Sequence, residues 1–220
     1  MTQIIDKILK SIEDDKQKIQ SIKKIEIDKI IHIDDFSKMF ILEANNILLS
    51  LGKESHFLVD DTNRELLNQL KLWLYNSKKC EYNLNKGFLL LGSVGIGKTL
   101  ILETFCKLYT RIAKEINFPI IKIYNSRELI ELVKTEMINL KRVNIFIDDL
   151  GKEPNLVKNY GTAEKPIAEL FYYRSRYNSF TFATANYNME RFAEFYGSSI
   201  ADRFIEIFNI IEIKGESKRK

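Results

Sequence analysis

Residues 92–99 read Gly-Ser-Val-Gly-Ile-Gly-Lys-Thr. This G-x-x-x-x-G-K-T stretch is set between the apolar run Gly87-Phe88-Leu89-Leu90-Leu91 and a helical pattern that begins Leu100-Ile101-Leu102-Glu103. No other feature of the chain narrows its folding as much, because the pattern works only as a tight loop between a strand and a helix. Glycines let the backbone turn back and aim successive N–H groups at phosphate oxygens, and the helix N-terminus adds its positive dipole end. Gly92, Ser93, Val94, Gly95, Ile96, Gly97, Lys98, Thr99 and Leu100 therefore form the candidate cradle for a nucleoside triphosphate. Lys98 would reach the β- and γ-phosphates, and Thr99 would offer its hydroxyl to Mg2+.

A chain of 220 residues has room for one α/β domain with a small appendage. No apolar run approaches the roughly 20 residues of a membrane helix, and Met1-Thr2-Gln3-Ile4-Ile5-Asp6-Lys7 lacks the layout of a signal peptide, so the expected location is cytoplasmic. Cys80 and Cys106, with no CxxC spacing and only His32 and His56 beside them, exclude a cysteine-rich zinc module and argue against a disulfide scaffold. Charge is uneven. Residues 1–60 carry nine lysines against eleven acids, whereas residues 61–220 carry 25 Lys and Arg against 19 acids, so the basic excess lies with the phosphate loop. That distribution is compatible with nucleic-acid contact.

Downstream of the N-terminus, five strand-like segments alternate with helical patterns. They run Gly87–Leu91, Pro119–Tyr124, Val143–Asp148, Ser179–Thr184 and Asn209–Ile213. Helices are expected over Lys98–Glu115, Arg127–Met137 and Ala163–Tyr177, with short ones at Met189–Phe195 and Ile200–Ile207. This alternation predicts an α/β fold, a five-stranded parallel sheet in a three-layer α/β/α sandwich. Before it, Ile5, Ile8, Leu9, Ile12, Ile19 and Ile22 predict an amphipathic helix over residues 2–25, and Asp35–Leu51 a second helix. Phe57-Leu58-Val59 reads as a short extended piece, followed by a helix from Asp60 or Asp61 to about Tyr75. The organisation expected is a small helical N-terminal region over 1–56, whose apolar stripe either packs on its own domain or binds a partner protein or a second copy, an ATPase domain over 57–216, and a flexible basic tail over 217–220.

Two further motifs end buried strands. Val143-Asn144-Ile145-Phe146-Ile147-Asp148-Asp149-Leu150-Gly151 places two acids beside the phosphate loop, where Asp148 would hold Mg2+ and Asp149 would orient or deprotonate an attacking water. Ser179-Phe180-Thr181-Phe182-Ala183-Thr184-Ala185-Asn186 ends in an amide that can report the presence of a γ-phosphate, or can cap the next helix. Phe171-Tyr172-Tyr173-Arg174-Ser175-Arg176-Tyr177 could stack single-stranded bases; alternatively its rings sit partly in the core with the arginines solvated or at a subunit interface. The segment Lys152–Lys165 reads as a loop, DNA-facing or merely solvated.

The phosphate loop, Ile147-Asp148-Asp149-Leu150-Gly151, Thr184-Ala185-Asn186, Asp202-Arg203-Phe204 and the ending Ile211-Glu212-Ile213-Lys214-Gly215-Glu216 together resemble the AAA+ P-loop NTPases of the bacterial replicative-helicase-loader group (DnaC/DnaI-like). The transposition helper IstB is a close relative of that group. The resemblance covers about residues 57–216. It implies ATP and Mg2+ as cofactors, slow and assembly-dependent ATP hydrolysis, head-to-tail self-association, and a replicative DNA helicase and single-stranded DNA as partners. It also implies that Arg203 reaches the γ-phosphate bound by a neighbouring subunit, giving Lys98, Asp149, Asn186 and Arg203 as the catalytic set. Two departures accompany it. Asn125–Arg142 is shorter than the corresponding stretch, which helps grip single-stranded DNA, and no helical lid with a second sensor arginine follows the last strand. The readings left open are helicase loading, an IstB-like transposition role, a small-molecule kinase and a non-hydrolysing ATP switch. The lack of an Asn-Lys-x-Asp motif argues against a GTPase, and the lack of Leu-Ser-Gly-Gly against a transporter ATPase.

Overall fold

The computed structural model describes residues 31–159, 162–177, 179–215, 217 and 218, together with Lys10 and Ile27. Apart from Lys10, the amphipathic helix expected over residues 2–25 lies outside the described residues, as do Glu216 and Arg219.

In chain order the elements are α1 (Asp35–Ser50), α2 (Arg64–Leu74), β1 (Gly87–Leu91), α3 (Lys98–Glu115), β2 (Ile121–Asn125), α4 (Ser126–Leu140), β3 (Asn144–Leu150), β4 (Val157–Asn159), β5 (Thr162–Glu164), α5 (Pro166–Arg174), β6 (Thr181–Ala185), α6 (Met189–Tyr196), α7 (Ser198–Ile207) and β7 (Phe208–Glu212). The main sheet has the order β2-β3-β6-β1-β7 and every pairing in it is parallel. The five strands are those read from the sequence, β1 with the same bounds and the other four shifted by one or two residues at their ends.

Alternation within the strands divides the interior. Phe88, Leu90, Phe146 and Phe182 join a core with α1, α2 and α3, while Leu89, Leu91, Ile145, Ile147, Ala183 and Ala185 join one with α4, α5, α6 and α7. Successive strand residues point to opposite faces, so strands that are apolar throughout must be covered on both sides. The result is the expected three layers. On the first face Trp73 meets Phe88, Phe105, Phe180 and Phe182 edge-on and donates its indole N–H to Lys86 O at 2.9 Å.

Helix α1 belongs to this same body. Phe36, Phe40 and Ala44 are in the core that holds Leu70, Trp73 and Phe105, and the Glu43 carboxylate takes Arg111 Nε at 2.8 Å and Nη2 at 3.3 Å. One shared core, Ile27 included, thus reaches across the boundary drawn near residue 55. Phe57–Val59 forms no strand; Phe57 N donates to Asn45 Oδ1 at 2.7 Å, tying the segment to α1 instead. The stretch Lys152–Lys165, read as a loop, contains the antiparallel hairpin β4–β5.

Arg174 departs most from its reading as a solvated or DNA-facing arginine. It is 1% exposed. Its Nε donates to Thr181 Oγ1 at 2.8 Å, Nη1 to Leu140 O and to Val143 O at 2.9 Å, and Nη2 to Phe180 O at 2.8 Å. One guanidinium therefore staples the end of α4 to the starts of β3 and β6, and burial pushes its pKa down to about 9. Its neighbours stay at the surface: Arg176 lies over the Tyr172 ring at 4.4 Å, and Lys141 lies over Tyr173 and Tyr177, 5.4 Å from each centroid.

Where β1 and β6 run side by side, a Cβ on Gly87 would stand 1.7 Å from Thr181 O. Gly87→Ala must push two backbones apart, which costs about 3 kcal/mol. The expected result is a clearly lower denaturant midpoint; an unchanged midpoint would mean that the strands separate freely.

Candidate phosphate and metal site

The site forms at the carboxyl ends of β1, β3 and β6. Leaving β1, the chain turns through Gly92 (φ 143°), Gly95 (φ 90°) and Gly97 (φ 96°), conformations that L side chains rarely adopt, and enters α3 at Lys98. Lys98 is 5% exposed. Its ammonium donates to Gly92 O at 2.9 Å, Ser93 O at 2.7 Å and Asn186 Oδ1 at 2.8 Å.

Thr99 Oγ1 donates to Asp148 Oδ1 at 2.8 Å, and Thr184 Oγ1 donates to the same oxygen at 2.5 Å. Asp149 has φ 56°, rare for a residue with a side chain, and is held on every side. Its N–H donates to Thr184 Oγ1 at 3.1 Å, and its carbonyl accepts from Ser126 Oγ at 2.9 Å. Its carboxylate takes Asn186 Nδ2 at 3.1 Å and Lys152 Nζ at 2.7 Å. Asn186 thus bridges Lys98 to Asp149 through the two ends of one amide.

Five of the residues singled out from the sequence, Lys98, Thr99, Asp148, Asp149 and Asn186, come together within hydrogen-bond distance. Arg203 does not join them: on α7 its Nη1 pairs with Glu206 at 2.7 and 2.8 Å, and its guanidinium lies 6.0 Å from the Tyr172 ring. Asn188, rather than Asn186, caps α6, accepting from Arg191 N at 3.0 Å.

Sequence reading missed Thr184, Lys152 and Glu153 as parts of the site. Thr184 had a signal, a hydroxyl two residues before the strand-end amide. Glu153 had none. It is 3% exposed, accepts Gly151 N at 2.8 Å on one oxygen and the Tyr196 hydroxyl on the other, and so fixes the turn that follows Asp149. Burial, then the Glu153 charge, pushes the Tyr196 pKa well up. Ser217 and Lys218, read as part of a flexible tail, lie against the phosphate loop: Lys218 N donates to Gly95 O at 2.9 Å, and Lys218 Nζ reaches Asp60 Oδ2 at 2.7 Å. That hydrogen bond leads the effects that hold the Asp60 carboxyl at about 2.

The residues present fit a nucleotide with Mg2+. Three glycines at positive φ shape the loop, one buried lysine stands at its heart, and a hydroxyl and a carboxylate meet 2.8 Å apart on adjacent elements. Two protein oxygens are a usual donor number for Mg2+, which keeps most of its waters.

No protein-family model and no curated protein matches the sequence. Solved structures do match in fold. The crystal structure of DnaI is similar with a TM-score of 0.52 and 23% identity, over 72% of this chain and 88% of that one. The DnaC helicase loader is similar with a TM-score of 0.56 and 19% identity, over 73% and 95%. A candidate primosome component from Streptococcus pyogenes serotype M3 is similar with a TM-score of 0.53 and 16% identity, over 73% and 84%. The five-stranded parallel α/β fold is therefore shared with these DnaI and DnaC structures. Among the described residues no helix is long and apolar enough to cross a membrane.

Proposed function

We propose that this chain is an assembly-dependent ATPase of DNA replication, which places a replicative helicase on single-stranded DNA. The observation that carries the ATPase reading is the Lys98–Asn186–Asp149 chain of hydrogen bonds beside the Thr99–Asp148 pair. Lys98 would bind the β- and γ-phosphates, and Asn186, already on Lys98, would register whether the γ-phosphate is present. Asp149 would take the proton of the attacking water, a task that requires its ion pair with Lys152 to open. Thr99 and Asp148 would hold Mg2+, which supplies charge neutralisation at the phosphates.

Support for the replication reading is the shared fold with DnaI and the DnaC helicase loader. Residues 1–56 are proposed to hold the helicase. Arg203, on the surface of α7, is proposed to act on the nucleotide of the next subunit in a head-to-tail assembly, exchanging Glu206 for phosphate.

Steady-state ATP hydrolysis with and without single-stranded DNA, with molecular size measured in the same buffers, tests the mechanism. Arg203→Ala is expected to bind ATP normally and to lose roughly a thousandfold in turnover. Normal hydrolysis by a monomeric Arg203→Ala protein overturns the intersubunit step. Capture of the host's replicative helicase by the full chain tests the partner, and no association in any nucleotide state counts against loading.

A further inference from the structure

Beside the phosphate loop lies a pocket of about 310 Å3 lined by Gly92, Ser93, Asn186, Tyr187, Asn188, Arg191 and Glu212. Three of these residues, Gly92, Ser93 and Asn186, are the ones whose oxygens hold the Lys98 ammonium. The pocket therefore abuts the group expected to meet a γ-phosphate. The lining also holds a second cation, Arg191, in the first turn of α6.

We infer that Arg191 is a γ-phosphate ligand supplied by the subunit that binds the nucleotide, and that it distinguishes triphosphate from diphosphate. The inference rests on the nucleotide reading of the site. The Arg191 guanidinium lies 4.8 Å over the Tyr187 ring. That ring is wedged in turn: it packs on Phe192 and Phe195 at 5.9 and 6.1 Å, and a Cβ on Gly151 would meet it at 2.6 Å. The Arg191 backbone is fixed as well, by the Asn188 cap. Among the described residues no carboxylate forms an ion pair with Arg191, although Glu212 shares the lining. A guanidinium is always charged and presents a planar fork of donors suited to phosphate. Here it is held on a rigid aromatic platform with that fork uncommitted.

Arg191 of α6 thus lines the pocket, and Lys98 of α3 is bonded to three of its lining residues, so two cations on separate elements border one space. A diphosphate is expected to meet the loop and Lys98 without Arg191. Only the additional phosphate of a triphosphate brings negative charge between Lys98 and Arg191.

The test is equilibrium titration of the full chain, in Mg2+, with a fluorescent non-hydrolysable ATP analogue and with the matching ADP analogue. Arg191→Ala is expected to weaken the triphosphate by about tenfold or more and the diphosphate by less than about twofold. Tyr187→Leu, which removes the platform and keeps the arginine, is expected to shift the triphosphate in the same direction. Equal losses for both nucleotides, or no loss for either, in an Arg191→Ala protein of unchanged melting temperature overturn the inference and leave the ATPase reading standing. A wild-type chain that binds neither analogue overturns both.

Discussion

Arg174→Ala is expected to lower the stability of the domain by about 4 kcal/mol, because it withdraws a buried, multiply bonded charge and the donors it supplies to three carbonyls. For a domain of this size that is a fall of about 10 °C in the melting temperature. The loss falls where α4 hands over to β3 and where β6 begins, so two adjacent strands lose their anchor together. Arg174→Lys should recover only part of it: an ammonium has no planar fork and cannot span Thr181 Oγ1 and three carbonyls at once. Chemical denaturation of the three proteins checks this. A midpoint for Arg174→Ala equal to that of the wild type would remove Arg174 from the architecture.

Lys98→Ala is the second large effect. Its ammonium lies within the loop and would be the main cation under the β- and γ-phosphates, so ATP affinity is expected to fall at least about a hundredfold. The same substitution frees Gly92 O, Ser93 O and one end of the Asn186 amide, whose other end holds Asp149. Hydrolysis should therefore remain lost even at ATP concentrations that saturate the weakened site. Calorimetric titration separates the two losses. Near-normal affinity would mean that the glycine-ring amides alone carry the phosphates.

The strands and the phosphate loop were legible because their signals are local. Gly87–Leu91 followed by the glycine pattern marks strand, turn and helix within a dozen residues, and Asp148, Asp149 and Asn186 each end an apolar run. What escaped depends on partners far apart in the chain. Arg174 sits in a run of tyrosines that reads as surface, and only the packing of α4, β3 and β6 shows three carbonyls around it. Glu153 looks like one more acid after Gly151 until Tyr196 closes over it. Lys218 reads as tail charge, yet it meets Asp60 from the other end of the chain. Helix α1 was grouped with the residues before 57 because its pattern says that one face must be covered but not by what; Arg111 and the α3 side of the core supply the cover. The same holds for Arg191, whose meaning lies in the pocket and not in its neighbours in sequence.

Trp73 is the chain's sole tryptophan, 5% exposed, and stands among four phenylalanine rings on the α1–α3 side of the sheet. The molecule therefore carries one intrinsic chromophore in a dry setting, with blue-shifted emission when folded and red-shifted emission when that layer opens to water. Arg191 and Arg203 sit on α6 and α7, in the layer across the sheet. Substitutions there can be followed by a native optical signal that none of them touches.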